Sequence, residues 1–137
     1  MKIVIDTNCI ISALIRDNIS RKIIFNNNFY FITPDFALTE IYKYKSEIME
    51  KANIFDDEFD ILLSLIFENI QIIPIGEYED NLETSKSLIR DINDIPFIAL
   101  AIALKVDGIW SDDNDFFEQD RVKVFRTEEM VRLLFDV

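Results

Sequence analysis

Residues 93–115 read NDIPFIALAIALKVDGIWSDDND, and their reading decides the fold. Asn93 to Val106 is a nearly all-apolar helical pattern opened by Asp94, with Gly108 as its C-terminal stop. Ile109–Ser111 follows as a short strand. A helix that feeds directly into a strand of a parallel sheet runs antiparallel to that strand. The spacing therefore places Asp94, at the start of the helix, and Asp113, just after the strand, at the same carboxyl edge.

The same alternation extends in both directions. Lys2–Asp6 reads as a buried strand, Thr7 to about Arg16 as a helix, Ile19–Phe25 as a second short helix and Phe29–Ile32 as strand two. Thr33-Pro34-Asp35 predicts a helix start with a hydroxyl cap, a proline in the first turn and an acid behind it. One helix then carries the stripe Ala37, Ile41, Tyr44, Ile48. Asp56–Phe67 is amphipathic through Phe59, Leu62, Leu63 and Ile66, and Ile70–Ile75 is strand three. Glu77 to about Arg90 predicts another helix, Val122–Phe125 strand five and Thr127–Phe135 a closing helix. Strands separated by helices imply an α/β fold in three layers, α/β/α, around a mostly parallel central sheet of about five strands.

Sites in such sheets lie at the carboxyl edge of the strands. Asp6 ends strand one, Glu40 lies in the second turn of the helix leaving strand two, and Asp94 and Asp113 are already placed there. Four acids distant in sequence thus converge.

Composition narrows the chemistry. The 137 residues suit one domain, residues 1–137, and half of them are apolar. The absence of histidine removes histidine bases, Ser-His-Asp triads and His-ligated zinc. Two glycines leave no glycine-rich phosphate cradle. Cys9 is the only cysteine, so no internal disulfide forms and a cytoplasmic setting is expected. The run Phe97–Leu104 is far short of the roughly 20 apolar residues that span a bilayer, so no membrane association is expected. Charge is split: residues 1–51 carry seven Lys/Arg against six Asp/Glu, whereas residues 52–137 carry seven against twenty. The net charge of −12 is thus compatible with a nucleic-acid partner on the N-terminal segment. Arg16, Arg21, Lys22, Lys43 and Lys45 are the candidates for phosphate contacts there.

Two carboxylates 4 Å apart repel by about 4 kcal/mol at an effective dielectric near 20. Four together need protons or cations. With no histidine and no second cysteine, oxygen-only coordination selects Mg²⁺ or Mn²⁺, which can activate water and hold a phosphodiester.

These residues resemble the PIN domain family. The resemblance rests on Asp6-Thr7-Asn8, on Glu40, on Asp94 within Asp94-Ile95-Pro96-Phe97-Ile98-Ala99-Leu100-Ala101, and on Ser111-Asp112-Asp113-Asn114-Asp115-Phe116. It covers nearly the whole chain, with the four motifs in family order. It implies a metal-dependent endoribonuclease acting on RNA, as in VapC-like toxins of toxin–antitoxin pairs, with a small antitoxin as partner. Carried over residue by residue, Asp6, Glu40, Asp94 and Asp113 would be the catalytic quartet binding Mg²⁺ or Mn²⁺. Asp115 would be a further metal-binding acid and Asp91 an accessory one. Thr7, Asn8 and Ser111 would orient the carboxylates. Ser111 stands where the family most often has threonine. Asp112, Asp113 and Asp115 compete for the fourth position. A homodimer is an expectation of the resemblance alone.

Plainer readings stand beside these. Asp6 could cap the following helix, and Asp94 could serve the helix dipole. Asp56-Asp57-Glu58 and Glu77-Tyr78-Glu79-Asp80 read as helix-start acids on solvated faces. A catalytically silent module of the same family, binding RNA or protein, would not need four costly acids together. Haloacid-dehalogenase-like phosphatases need D-x-D after strand one, but residue 8 is Asn. Receiver domains take phosphate on an acid after strand three, where this chain has Pro74-Ile75-Gly76.

Overall fold

The computed structural model describes residues 1–135. The elements run β1 (Lys2–Ile5), α1 (Thr7–Ile15), α2 (Ile19–Ile24), β2 (Tyr30–Pro34), α3 (Phe36–Lys43), α4 (Lys45–Ala52), α5 (Asp56–Phe67), β3 (Ile70–Ile73), α6 (Leu82–Lys86), α7 (Ile95–Leu104), β4 (Gly108–Trp110), β5 (Val124–Phe125) and α8 (Thr127–Phe135). Short 3₁₀ turns occupy Ile75–Glu77, Glu79–Asn81 and Asn114–Glu118.

The five strands form one sheet in the order β3-β2-β1-β4-β5, and every pairing is parallel. The chain lays β2 and β3 on one side of β1 and then returns to the other side with β4. The crevice between the carboxyl ends of β1 and β4 is therefore a topological switch point, where open α/β sheets bind ligands.

Alternate residues of each buried strand feed two cores. Ile3, Ile5, Phe31, Trp110 and Phe125 face α1, α2, α4, α5 and α8. Val4, Ile32, Ile73 and Ile109 face α7, whose Phe97, Ile98, Ala99, Leu100 and Ala101 are all buried. The three-layer expectation holds, and the sheet is wholly parallel. The apolar character of α7 reflects burial against both the sheet and the 3₁₀ segment carrying Phe116, whose ring meets Phe97 edge-on at 6.3 Å.

Several boundaries differ from the sequence reading, each for a physical reason. Thr33 and Pro34 extend β2, because parallel pairing with β3 (Pro34 opposite Ile73) takes precedence over the local helix signal. The cap is Asp35, whose carboxylate accepts from the backbone N–H groups of Phe36 and Ile75 and from the Tyr78 hydroxyl. The helix expected through Tyr44 bends there (φ −100°, ψ 12°), giving α3 and α4, with Tyr44 outside and Ala37, Ile41 and Ile48 buried. The helix expected over residues 77–90 reduces to 3₁₀ turns and α6. Ser85 and Ser87 donate to the carbonyls of Asn81 and Thr84, local bonds that compete with helix continuation.

Gly108 is not the stop of α7. That helix ends on Lys105 in the left-handed region (φ 51°), and Gly108 opens β4. A Cβ at position 108 would sit 2.5 Å from the Phe125 ring and 3.0 Å from the Lys123 carbonyl oxygen. Glycine is needed for this close approach. Gly108→Ala should lower stability by about 1–3 kcal/mol, the usual cost of overpacking, as measured by urea denaturation. An unchanged midpoint would contradict this packing.

Candidate metal centre

The carboxyl edge assembles its acids from four separate segments. Asp6 follows β1, and its backbone N–H donates to the Trp110 carbonyl of β4 (3.1 Å), which fixes the acid against the β4 end. Both Asp6 and Asp94 occupy helix N-cap positions, yet neither side chain makes a capping hydrogen bond. The capping explanation therefore fails for Asp6. Each is buried, at 5% and 7% exposure.

Hydroxyls and backbone amides hold several of the acids. Ser111, fully buried, donates to Asp6 Oδ2 at 2.7 Å and accepts from the Asp113 N–H at 3.0 Å. Thr7 donates to Glu40 Oε1 at 2.7 Å. Asp113 Oδ1 accepts from the Asp115 N–H, and Asp91 Oδ1 from the Asn93 N–H, both at 2.9 Å. Asp94 is different. Its Oδ2 is buried without a hydrogen-bond partner among the described residues.

One carboxylate oxygen from each of Asp91, Asp94 and Asp115 lies within 4.8 Å of the others. The segment carrying Asp91 is tied to the 3₁₀ turn carrying Asp115 by Arg90, which pairs with Glu118 at 3.2 Å. Sequence reading gave Asp91 only an accessory place, on the family resemblance alone. The signal available was its spacing three residues before Asp94, one turn away in a loop closed by the Asp94 N–H to Asp91 carbonyl bond.

Burial and mutual repulsion raise the pKa values of Asp6, Glu40, Asp94 and Asp115. Desolvation pushes Asp94 up to about 8, with Asp91, Asp6, Asp113 and Asp115 adding repulsion. Asp6 rises to about 6, mainly through burial and then through Asp113 and Glu40, against the lowering bond from Ser111. Glu40 is raised by burial and by Asp91, against Thr7 and Lys43. Asp115 is raised first by Asp113. These couplings link Asp6, Glu40, Asp91, Asp94, Asp113 and Asp115 into one electrostatic group.

The other sequence candidates separate around this group. Asp112 faces away: its two oxygens accept from the Thr127 N–H (2.8 Å) and hydroxyl (2.6 Å) at the start of α8. Asn8 is exposed and lines a cavity beside Asp113. Lys43 lies close enough to Glu40 to lower its pKa. Lys45 is engaged by Asp56 at 3.0 Å and Arg21 Nε by the Ala13 carbonyl. Arg16 and Lys22 are exposed. Cys9 is buried, and burial raises its thiol pKa well above the ordinary value, which leaves it inert.

The residues fit a hard divalent cation. The donor set is all oxygen, several carboxylates converge, and a buried carboxylate oxygen has no partner. Without a cation, the raised pKa values carry a signed consequence. The folded state binds protons more tightly than the unfolded chain, whose carboxylates titrate near 4. The stability that these two acids contribute is therefore fully present below about pH 4 and is lost as pH rises through about 6 and about 8. Chemical denaturation of protein freed of metal with chelator should show this decline, and Asp94→Asn should flatten its upper part. A profile flat between pH 5 and 8 would contradict the electrostatics.

Comparison with known proteins agrees with the geometry. The chain resembles, in fold, the crystal structure of VapBC2 from Rickettsia felis bound to a DNA fragment from their promoter, with a TM-score of 0.66 and 18% identity. The match covers 92% of this chain and 98% of that one. No curated protein matches the chain. No described helix is long and apolar enough to cross a membrane. The PIN domain family profile matches residues 4–134, so the chain belongs to the PIN domain family.

Proposed function

We propose that the chain is a divalent-metal-dependent endoribonuclease that hydrolyses RNA phosphodiester bonds. The observation that carries this is the buried, unpartnered Asp94 Oδ2 within a converging set of carboxylates. Asp6, Glu40, Asp94 and Asp113 would hold Mg²⁺ or Mn²⁺, with Asp115 and Asp91 completing the acidic set. Such a cation, when bound, supplies Lewis acidity toward a phosphodiester and lowers the pKa of water.

The chain's own residues prepare the site. The Ser111 and Thr7 hydroxyls each take one oxygen of Asp6 and Glu40, which restricts the rotation of those carboxylates. The parallel sheet and buried α7 fix the spacing of Asp6 and Asp94. Exposed Arg16 and Lys22, with Lys43 beside Glu40, provide cations for the RNA backbone on an otherwise acidic protein.

We further read the protein as the cytoplasmic toxin of a toxin–antitoxin pair, with a small antitoxin protein as partner. Support comes from the ordered acidic motifs, the family and the fold likeness to VapBC2.

Purified protein should cut RNA in Mn²⁺ or Mg²⁺ and stop in EDTA. Asp94→Asn should lower cutting by at least about 100-fold, the upper end of what even a supporting group contributes at a metal site. Equal cutting by a folded Asp94→Asn protein would mark the activity as a contaminant. Millimolar Mn²⁺ should raise the melting temperature, more at pH 8 than at pH 6, because ligating carboxylates must lose their protons. No shift at either pH would count against metal binding. Expression of the chain should arrest bacterial growth, and expression of Asp94→Asn should not. Normal growth with wild-type protein would argue against the toxin role.

A further inference from the structure

Arg126, between β5 and α8, grips the segment that presents Asp113. Its Nη1 donates to the Asp112 carbonyl at 3.0 Å and its Nη2 to Asn114 Oδ1 at 2.8 Å. The two acceptors belong to the residues on either side of Asp113. The guanidinium also lies over the Phe117 ring, 4.1 Å from its centre, and that ring is 42% exposed. Asn114 and Phe117 share their 3₁₀ turn with Asp115, an acid of the candidate metal centre. One short turn therefore carries a metal-facing carboxylate and holds an arginine beside it.

The nature of its partners sets Arg126 apart. Lys45, Lys86 and Arg90 each meet a carboxylate, whereas Arg126 forms no ion pair among the described residues. A carbonyl, an amide oxygen and an aromatic face orient the guanidinium plane and leave its charge uncancelled. Its remaining N–H donors have no acceptor among the described residues. The side chain is half-buried and already held, so a ligand would find little rotamer freedom left to freeze.

A polyanion approaching the coupled carboxylates is repelled unless cations stand next to them. A planar, preoriented N–H fork suits phosphate oxygens. We propose that Arg126, braced by Phe117 and Asn114, binds a backbone phosphate of the RNA adjacent to the one that is cut. The substrate path then crosses the acidic C-terminal part of the chain as well as the basic N-terminal segment. This rests on the nuclease reading above.

Two arms test it separately. In the first, Asp94→Asn protein, in which cutting is slowed, is titrated into a short fluorescent single-stranded RNA in millimolar Mg²⁺ at several KCl concentrations. Adding Arg126→Ala should weaken binding by about tenfold, the worth of a hydrogen bond to a charged group. It should also reduce the slope of log affinity against log salt by about 0.7, as for one phosphate contact on a single strand. Arg126→Lys, which keeps the cation, should restore the slope. An unchanged slope in Arg126→Ala, or no RNA binding without it, overturns the proposal. In the second arm, cutting in Mn²⁺ is compared between wild-type and Arg126→Ala protein. KM should rise by about tenfold with kcat little changed, and the Mn²⁺-induced rise in melting temperature should persist. A fall in kcat at unchanged KM, or loss of that rise, would make Arg126 a brace of Asp113 alone and overturn the phosphate contact. RNA bound through Arg126 by a chain that cuts none supports the contact and overturns the nuclease reading alone.

Discussion

Mutual repulsion among carboxylates at the carboxyl ends of β1 and β4 is the constraint on which the rest of the structure depends. Asp94 shows it most plainly: a buried acid, one oxygen without a partner, with its pKa pushed up to about 8 by desolvation and by neighbouring acids. Hydrophobic burial on both faces of the sheet supplies the free energy that holds these groups together. The fold thus maintains an arrangement that its acids, left alone, would oppose. A divalent cation would reverse the sign of that contribution.

Each acid is held by a different local device, and the devices interlock. Ser111 joins Asp6 to the Asp113 backbone, so the ends of β1 and β4 are bridged through one hydroxyl. Thr7 reaches across to Glu40 on α3. Asp112 is diverted to the start of α8, where Thr127 also accepts from the buried Trp110 indole at 2.9 Å. Two adjacent aspartates therefore have opposite duties: Asp112 anchors the closing helix, and Asp113 faces the cluster.

Much of this was legible in the sequence because it rests on periodicity and topology. The apolar run 95–104 and the strand after it place Asp94 without any contact information, and the wholly parallel sheet confirms that placement. What escaped sequence reading depends on contacts between distant residues. Pro34 looked like a helix start but pairs with β3, and Gly108 looked like a helix stop but is required by the Phe125 ring. Asp91 joins Asp94 and Asp115 through a loop positioned in part by Arg90 and Glu118, a contact between distant residues that its three-residue spacing from Asp94 does not contain. The competition among Asp112, Asp113 and Asp115 could not be narrowed from adjacency alone. The hydrogen bonds of Thr127 engage both oxygens of Asp112 at the start of α8.

The most direct test is Mn²⁺ titration of the intact, metal-free protein at pH 7 by calorimetry in buffers of different ionisation enthalpy. Because burial pushes the Asp94 pKa up to about 8, the account predicts Mn²⁺ binding accompanied by proton release, and loss of that release in Asp94→Asn. Absence of binding, or binding with no proton released, would contradict it.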